Sequence, residues 1–458
     1  MIRLKSSQIA EIVNGTLNFD GSKEVWQAPV FDSRKAVEGS FFLALQGESA
    51  DGHDFVDSAI ANGAVFALTS KVVNGPHIQV PDVLEALGKI ATHVRLQLPN
   101  LKVIGITGSQ GKTTTKDLLH HILEGVAPTI SPENSFNNEL GAPLNLLRCT
   151  EETRFCIAEL GARHMGDIFR LASIVKPEIG VVLKVGSAHI AEFGSAENIA
   201  KTKGELIKAL PIDGVAVLGL YDDYTPKMAE GFAGRVITFG ESASADVRAA
   251  DIEIREGSPH FDLVNSEGRV SVGMRLIGAH QIPNALAAAA VATALGISND
   301  HIATALSTAE IKSKWRMELH ELPGLLVIND AYNANPESME AALFSLRLFA
   351  QERGGAAWAF LGKMHELGAS SSQAHEKIGT LARDLAIDHL VAINTDYGKS
   401  ALNFKDWESS LNLLSEISPG DVVLVKASRA EGLERLADAL INGWNESRKS
   451  QSGEVQSE

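Results

Sequence analysis

Lys102-Val103-Ile104-Gly105-Ile106-Thr107-Gly108-Ser109-Gln110-Gly111-Lys112-Thr113-Thr114 is the stretch on which the fold turns. Val103 to Ile106 is a short apolar run, as expected of a strand buried on both faces, and the glycine-rich turn after it leads into a helical segment from Thr113 to Leu123. Glycines let backbone amides approach phosphate oxygens, and the helix N-terminus adds partial positive charge. Lys112 can then reach the terminal phosphates, and the Thr113 hydroxyl can ligate Mg²⁺. ATP is the implied ligand, held by Gly108, Ser109, Gln110, Gly111, Lys112, Thr113 and Thr114. The loop departs from the general phosphate-loop spacing, because Ile106 stands where the first glycine belongs and the glycines fall at 105 and 108.

On either side of this unit the chain reads as further α/β structure. Apolar runs at Phe155 to Leu160, Ile179 to Val185, Val215 to Leu218 and Val236 to Phe239 alternate with helical patterns, which predicts a mainly parallel sheet covered on both faces. Polar alternation at Phe261 to Leu263 and Val270 to Val272, around Asn265-Ser266-Glu267-Gly268, predicts a hairpin, and the alanine-rich stretch 285–295 a packed helix. Upstream, short apolar segments between Gly/Asp turns read as a small α/β domain over 1–98. Downstream, candidate strands at Leu325 to Ile328, Trp358 to Leu361, His389 to Ile393 and Val422 to Val425 read as a Rossmann-like α/β domain. The expected division is 1–98, 99–310 and 311–447, with a last helix to about Trp444 and a disordered polar tail over 448–458.

Composition narrows the partners. Across 458 residues, 57 acidic against 41 basic side chains give a net charge of -16, which opposes nucleic acid and anionic membrane surfaces as partners. Cys149 and Cys156 are too few for a disulfide framework, and Cys156 sits inside an apolar strand. The N-terminus lacks the apolar stretch of a signal peptide and no apolar run is long enough to span a bilayer, so a cytoplasmic protein without membrane insertion is expected; a monomer is expected as well.

Segments spread in order along the chain carry a resemblance. Besides the loop Thr107 to Thr114 they are Asn137-Asn138-Glu139, Glu159-Leu160-Gly161-Ala162, His189 with Glu192-Phe193-Gly194-Ser195, and Ala200-Lys201-Thr202-Lys203-Gly204-Glu205. Gly278-Ala279-His280-Gln281 with Asn284, Trp315-Arg316-Met317-Glu318, and Asn329 to Pro336 complete the set. Together they resemble the Mur ligase and folylpolyglutamate synthetase superfamily. Asp32-Ser33-Arg34, Phe41 to Gly47 and Asp51-Gly52-His53-Asp54-Phe55 look like the uridine-diphosphate-binding domain of Mur ligases. Asp330 to Pro336, Leu361 to Gly368 and Lys426-Ala427-Ser428-Arg429 match the members that add D-alanyl-D-alanine, and the Asp-Asn-Pro-Arg signature of diaminopimelate-adding members is absent.

The resemblance implies roles. Glu159 ends a strand at the edge where open α/β sheets bind ligands, and a carboxylate there can hold Mg²⁺. His189 matches a ligand of a second Mg²⁺, and Lys203 matches a lysine carbamylated by CO₂ that also binds that ion; Lys201 is the neighbouring alternative. Arg316 is implied to reach the γ-phosphate from the third domain, with Asp330, Tyr332, Asn333 and Asn335 on the ATP and acceptor side of the cleft. Asn138, Gln281 and Asn284 are implied contacts to the nucleotide, and Ser33 and Arg34 to the uridine diphosphate. The family pattern has Asp where Lys363 stands and Gly where Ala427 stands, both in the third domain.

The implied reaction is ATP-dependent joining of D-alanyl-D-alanine to UDP-N-acetylmuramoyl-tripeptide through an acyl phosphate, a step of peptidoglycan synthesis. The rival readings are a sister ligase adding the third amino acid, a folylpolyglutamate synthetase, and a nucleotide-binding regulator without catalysis. Retention of Lys112, Glu159, His189 and Lys203 together argues against the last.

Overall fold

A computed structural model describes residues 1–452 apart from 48, 49, 134, 187–189, 311 and 312. The strand Lys102–Thr107 lies inside a nine-stranded sheet, parallel to Ile179–Val182 on one side and to Phe155–Glu159 on the other. From there the sheet runs outward in parallel through Val215–Gly219, Arg235–Gly240 and Val247–Arg255, and closes with the antiparallel Ser258–Asn265 and Gly268–Gly273. The predicted hairpin is these last two strands.

Val247–Arg255 carried no apolar run to predict it. Its outer half is exposed, and a register shift between Ala250 and Glu253 interrupts the alternation.

Alternate residues of each strand feed opposite layers, as the pleat requires. Ile104 and Ile106 face the layer built by the helices Lys112–Glu124 and Gln281–Ala294. In the second of these helices Ala285 to Ala292 is wholly buried, the small side chains allowing close helix packing. Val103, Cys156 and Ala158 face the other layer, where the helix Asp167–Val175 packs beside Val83–Leu96 from the first hundred residues. The N-terminal unit therefore shares a core with the central one, and Arg95 pairs with Glu178 at 2.8 Å across the seam. Its own sheet has the order Thr16–Leu17, His77–Gln79, Ala67–Thr69, Phe42–Leu43.

The third unit is a six-stranded sheet in the order Glu318–Leu322, Leu325–Asp330, Val422–Lys426, Ala357–Leu361, His389–Ile393, Leu402–Phe404, parallel except for the first pair. Leu326, Ile328, Ala359 and Leu424 face one core, while Val327, Trp358, Phe360 and Val425 face the other. The two edge strands escaped the sequence reading because each is short and half-exposed.

The last helix also runs past Trp444, to Ser452, so the tail expected from 448 begins as helix. The Trp444 indole and the Arg448 guanidinium both donate to the Pro323 carbonyl, which holds this turn against the sheet. Residues 453–458 of the expected tail lie outside the described residues. Both cysteines are buried and free. Among the described residues, no helix is long and apolar enough to cross a membrane.

Candidate active site

The turn after Lys102–Thr107 is shaped by two glycines in the left-handed half of backbone space, Gly108 at φ 157° and Gly111 at φ 80°. Gly111 is doubly required, since a Cβ there would lie 2.2 Å from Asn284 Oδ1. It caps the helix Lys112–Glu124, whose first-turn amides open onto a cleft of about 930 Å³.

The whole loop from Gly108 to Thr114 lines that cleft. Asn138, Glu159, Lys203, Gln281, Asn284, Arg316, Asp330, Tyr332, Asn333 and Asn335 line it too. Ser33 and Arg34 are not among the lining residues. They form a short turn in the N-terminal unit, where Arg34 is bidentate to Asp32 and its side chain is 86% exposed. That turn is tied to the cleft through Phe31, whose ring meets Phe136 edge-on at 6.2 Å, next to Ser135 and Asn137. His189 lies outside the described residues.

Oxygen donors converge at the foot of the loop. Glu159, at the carboxyl end of its strand and 1% exposed, accepts from Thr113 Oγ1 at 3.1 Å and from Asn137 Nδ2 at 3.0 Å. Ser135 Oγ stands 2.9 Å from Thr113 Oγ1 and accepts from an Arg316 amine at 3.0 Å. A buried carboxylate and a hydroxyl facing one point make a donor set that fits Mg²⁺, a hard cation that takes oxygen ligands. Lys112 Nζ meanwhile donates to Gly108 O at 2.7 Å. Loss of solvent lowers the Lys112 pKa, Glu159 opposes this, and the Arg316 charge adds to it.

Arg316 arrives from the third unit. Its guanidinium stacks on the Tyr332 ring at 4.0 Å, and its Nε is buried with no protein acceptor. Around it, Asp330 accepts from Met317 N at 3.1 Å and from Lys426 Nζ at 2.6 Å, and Lys426 also donates to Asn333 O. Gln110 of the loop bridges the units by donating to Asn335 Oδ1 at 3.0 Å and to Glu337 Oε2 at 3.1 Å. Asn335 in turn caps the helix Pro336–Arg353 by accepting from Ser338 N.

The two lysines of Lys201-Thr202-Lys203 are separated by helix geometry. In Ala196–Lys208, capped by Ser195, the inward positions are Ile199, Thr202, Lys203, Leu206 and Ile207, whereas Lys201 is exposed. Lys203 is 7% exposed and lines the cleft. Burial, and then the nearby Lys112 charge, hold its pKa well below the usual lysine range.

Several site residues, some of them inside the motifs quoted above, had no role assigned from sequence. Lys426 is the clearest: it is 2% exposed, closes the apolar strand Val422–Lys426 and pairs with Asp330, so the strand-end rule that picked Glu159 applies to it equally. Asn137 touches Glu159, while Asn138 Oδ1 accepts from Gly141 N, the first residue of the next helix. Ser135 carried no signal, because a loop serine gains its role only from what folds against it. His280 also faces the cleft, and burial holds its pKa down at about 4. Ala427 fills the space that Gly362 leaves, since a Cβ on Gly362 would lie 2.8 Å from the Ala427 methyl. Lys363 is exposed and serves through its carbonyl, which accepts from Ser428 N.

A phosphate loop at a parallel-sheet edge, an acidic strand end and an arginine reaching in from another unit define a multi-domain ATP-using α/β protein. Family models agree in all three parts: the Mur ligase family catalytic domain matches residues 30–95, the Mur ligase middle domain 106–292, and the Mur ligase glutamate ligase domain 315–429. The chain belongs to the Mur ligase family. It is 41% identical, over 96% of its length and 98% of the relative's, to the UDP-N-acetylmuramoyl-tripeptide--D-alanyl-D-alanine ligase of Mycobacterium bovis. Among solved structures, MurF from Acinetobacter baumannii superposes with a TM-score of 0.88 at 34% identity, covering 96% of this chain and 99% of that one. MurF ligase from Thermotoga maritima in complex with ADP gives 0.79 at 30% identity, covering 90% and 97%.

Proposed function

We infer that this protein is the ADP-forming ligase that joins D-alanyl-D-alanine to UDP-N-acetylmuramoyl-tripeptide, giving the UDP-pentapeptide precursor of peptidoglycan. The observation that carries this reading is a single cleft faced from one side by the phosphate loop and Glu159 and from the other by Arg316, Asp330 and Asn335. The relatives' shared activity supplies the substrates. The division at 98/99 and 310/311 belongs to the same proposal, with the uridine diphosphate moiety held by the first unit near Ser33 and Arg34, ATP by the second and the dipeptide mainly by the third.

An unactivated carboxylate is a poor electrophile, because its charge repels an amine and its oxygen leaves badly. The tripeptide carboxylate therefore attacks the γ-phosphorus of ATP, and the bond to the bridging oxygen breaks to release ADP. The dipeptide amine then adds to the acyl carbon, the nitrogen loses a proton, and phosphate departs with one oxygen of the original carboxylate. The protein contributes position and charge, as in other phosphoryl transfers. Loop amides and Lys112 receive the β- and γ-phosphates, while Arg316 offers a guanidinium fork to the charge that builds during transfer. Thr113 and Glu159 would hold Mg²⁺, which neutralises phosphate charge when bound.

Lys203 is proposed to carry a carbamate. A neutral amine is the form that reacts with CO₂, and burial favours that form at Lys203. With His189 it would offer ligands for a second Mg²⁺.

Labelling the terminal tripeptide carboxylate with ¹⁸O tests the route. One label per turnover should appear in the released phosphate; unlabelled phosphate would exclude the acyl phosphate.

A further inference from the structure

The connector that delivers Arg316 is held under strain. Trp315 and Met317, on either side of it, adopt φ 59° and φ 51°, left-handed values that bulky L-residues avoid. Such a conformation persists only where the surroundings fix it. Within the connector, Tyr332 N donates to Trp315 O and Glu318 accepts from Trp315 N, but both contacts lie inside the third unit. Ahead of Trp315, Ser313, 9% exposed, reaches the central unit, its Oγ donating to Asp117 Oδ2 at 2.7 Å.

Asp117 lies on the phosphate-loop helix, and its other oxygen pairs at 2.6 Å with Lys116, the side chain of which is 2% exposed. Lys116 Nζ also donates to Pro132 O at 2.9 Å, at the root of the loop that carries Ser135. An ammonium this deeply buried is costly unless paired and hydrogen-bonded, and here its partners serve two chain segments at once. One branch ends at Pro132, which stands shortly before Ser135 in the sequence, and Ser135 touches both Thr113 and Arg316; the other ends at the connector, close before Arg316.

We propose that Lys116, Asp117 and Ser313 form an anchor that registers the connector against the phosphate-loop helix and so positions Arg316 over the loop. None of the three lines the cleft, so they are positioning residues and act through Arg316. The proposal rests on the reading of Arg316 given above. It also accounts for why the strained turn is stable: the connector is pinned on the central side at Ser313 and on the third-unit side at Trp315.

A cycle of four proteins tests this, comparing the unaltered enzyme, Ser313→Ala, Arg316→Lys and the double variant. Ser313→Ala should lower kcat roughly tenfold with KM for ATP within about twofold, since it misplaces a group needed in transfer while leaving the nucleotide contacts in place. Ser313→Thr, which keeps the hydroxyl, should restore most of the rate. In the Arg316→Lys background Ser313→Ala should cost little more, because both changes remove one contribution. An equal loss in both backgrounds, a loss in thermal stability alone, or an unchanged kcat would overturn the anchor. Full activity in Arg316→Lys would overturn the role of Arg316 and the anchor together.

Discussion

Lys112→Ala is expected to reduce single-turnover phosphate release on the order of 10³-fold, with the affinity for the UDP-tripeptide unchanged. The ammonium is the one flexible cation of the phosphate loop, and in the structure it folds back onto Gly108 O, within the loop whose amides would hold the phosphates. Its loss leaves the developing negative charge to backbone dipoles and Arg316. Stability should move the other way or not at all. Desolvation disfavours the charged lysine, and the Arg316 charge disfavours it further, so the residue is kept against the folding balance. Rapid-quench phosphate assays together with thermal melts check both parts. A variant that lost activity by unfolding would show a depressed Tm, and one that kept its rate would remove Lys112 from the mechanism.

The phosphate loop was legible because all of its parts are local: strand, glycine turn and helix start lie within one stretch, and each dictates its own geometry. Glu159 was legible for a related reason, since an acidic residue closing an apolar strand has few places to go but the sheet edge. The same reasoning extends to Lys426, which closes the apolar strand Val422–Lys426. Arg316, Asn335 and Gln110 are different. Their contacts cross from one unit to another, Arg316 to Ser135 and Gln110 to Asn335, and no periodicity in a single sequence encodes such a meeting. Resemblance to the family supplied Arg316 and Asn335, but not Ser135 or Glu337, the second partner of Gln110. The strand Val247–Arg255 was hidden because a bulge and solvent on its outer half erase the alternation, and the last helix past Trp444 because Glu446, Ser447 and Arg448 are exposed and carry no apolar periodicity.

Lys203→Ala should lower kcat roughly a hundredfold, whereas Lys201→Ala should stay within about twofold of the unaltered enzyme. The two residues are neighbours in sequence, but the helix Ala196–Lys208 turns one into the cleft and the other into water. Burial disfavours the charged form of the Lys203 amine, and it is the uncharged nitrogen that can bond to carbon dioxide. Exposure to ¹³C-labelled CO₂ should therefore give a carbamate carbon resonance that survives Lys201→Ala and vanishes in Lys203→Ala. The same experiment separates a structural lysine from a modified one. A hundredfold loss with no carbamate signal in the unaltered enzyme would leave Lys203 acting through its nitrogen alone and would remove the carbamate from the site. A signal that followed Lys201 would contradict the burial argument.

The central claim is that this cleft joins a dipeptide to a UDP-linked tripeptide. Phosphate release by the purified protein with ATP, Mg²⁺ and UDP-N-acetylmuramoyl-tripeptide, comparing D-alanyl-D-alanine with single amino acids as acceptor, tests it most directly. Release that requires the dipeptide, with the mass of the UDP-pentapeptide appearing in step, is the predicted result. Equal or greater release with a single amino acid, or none with any acceptor, would contradict it.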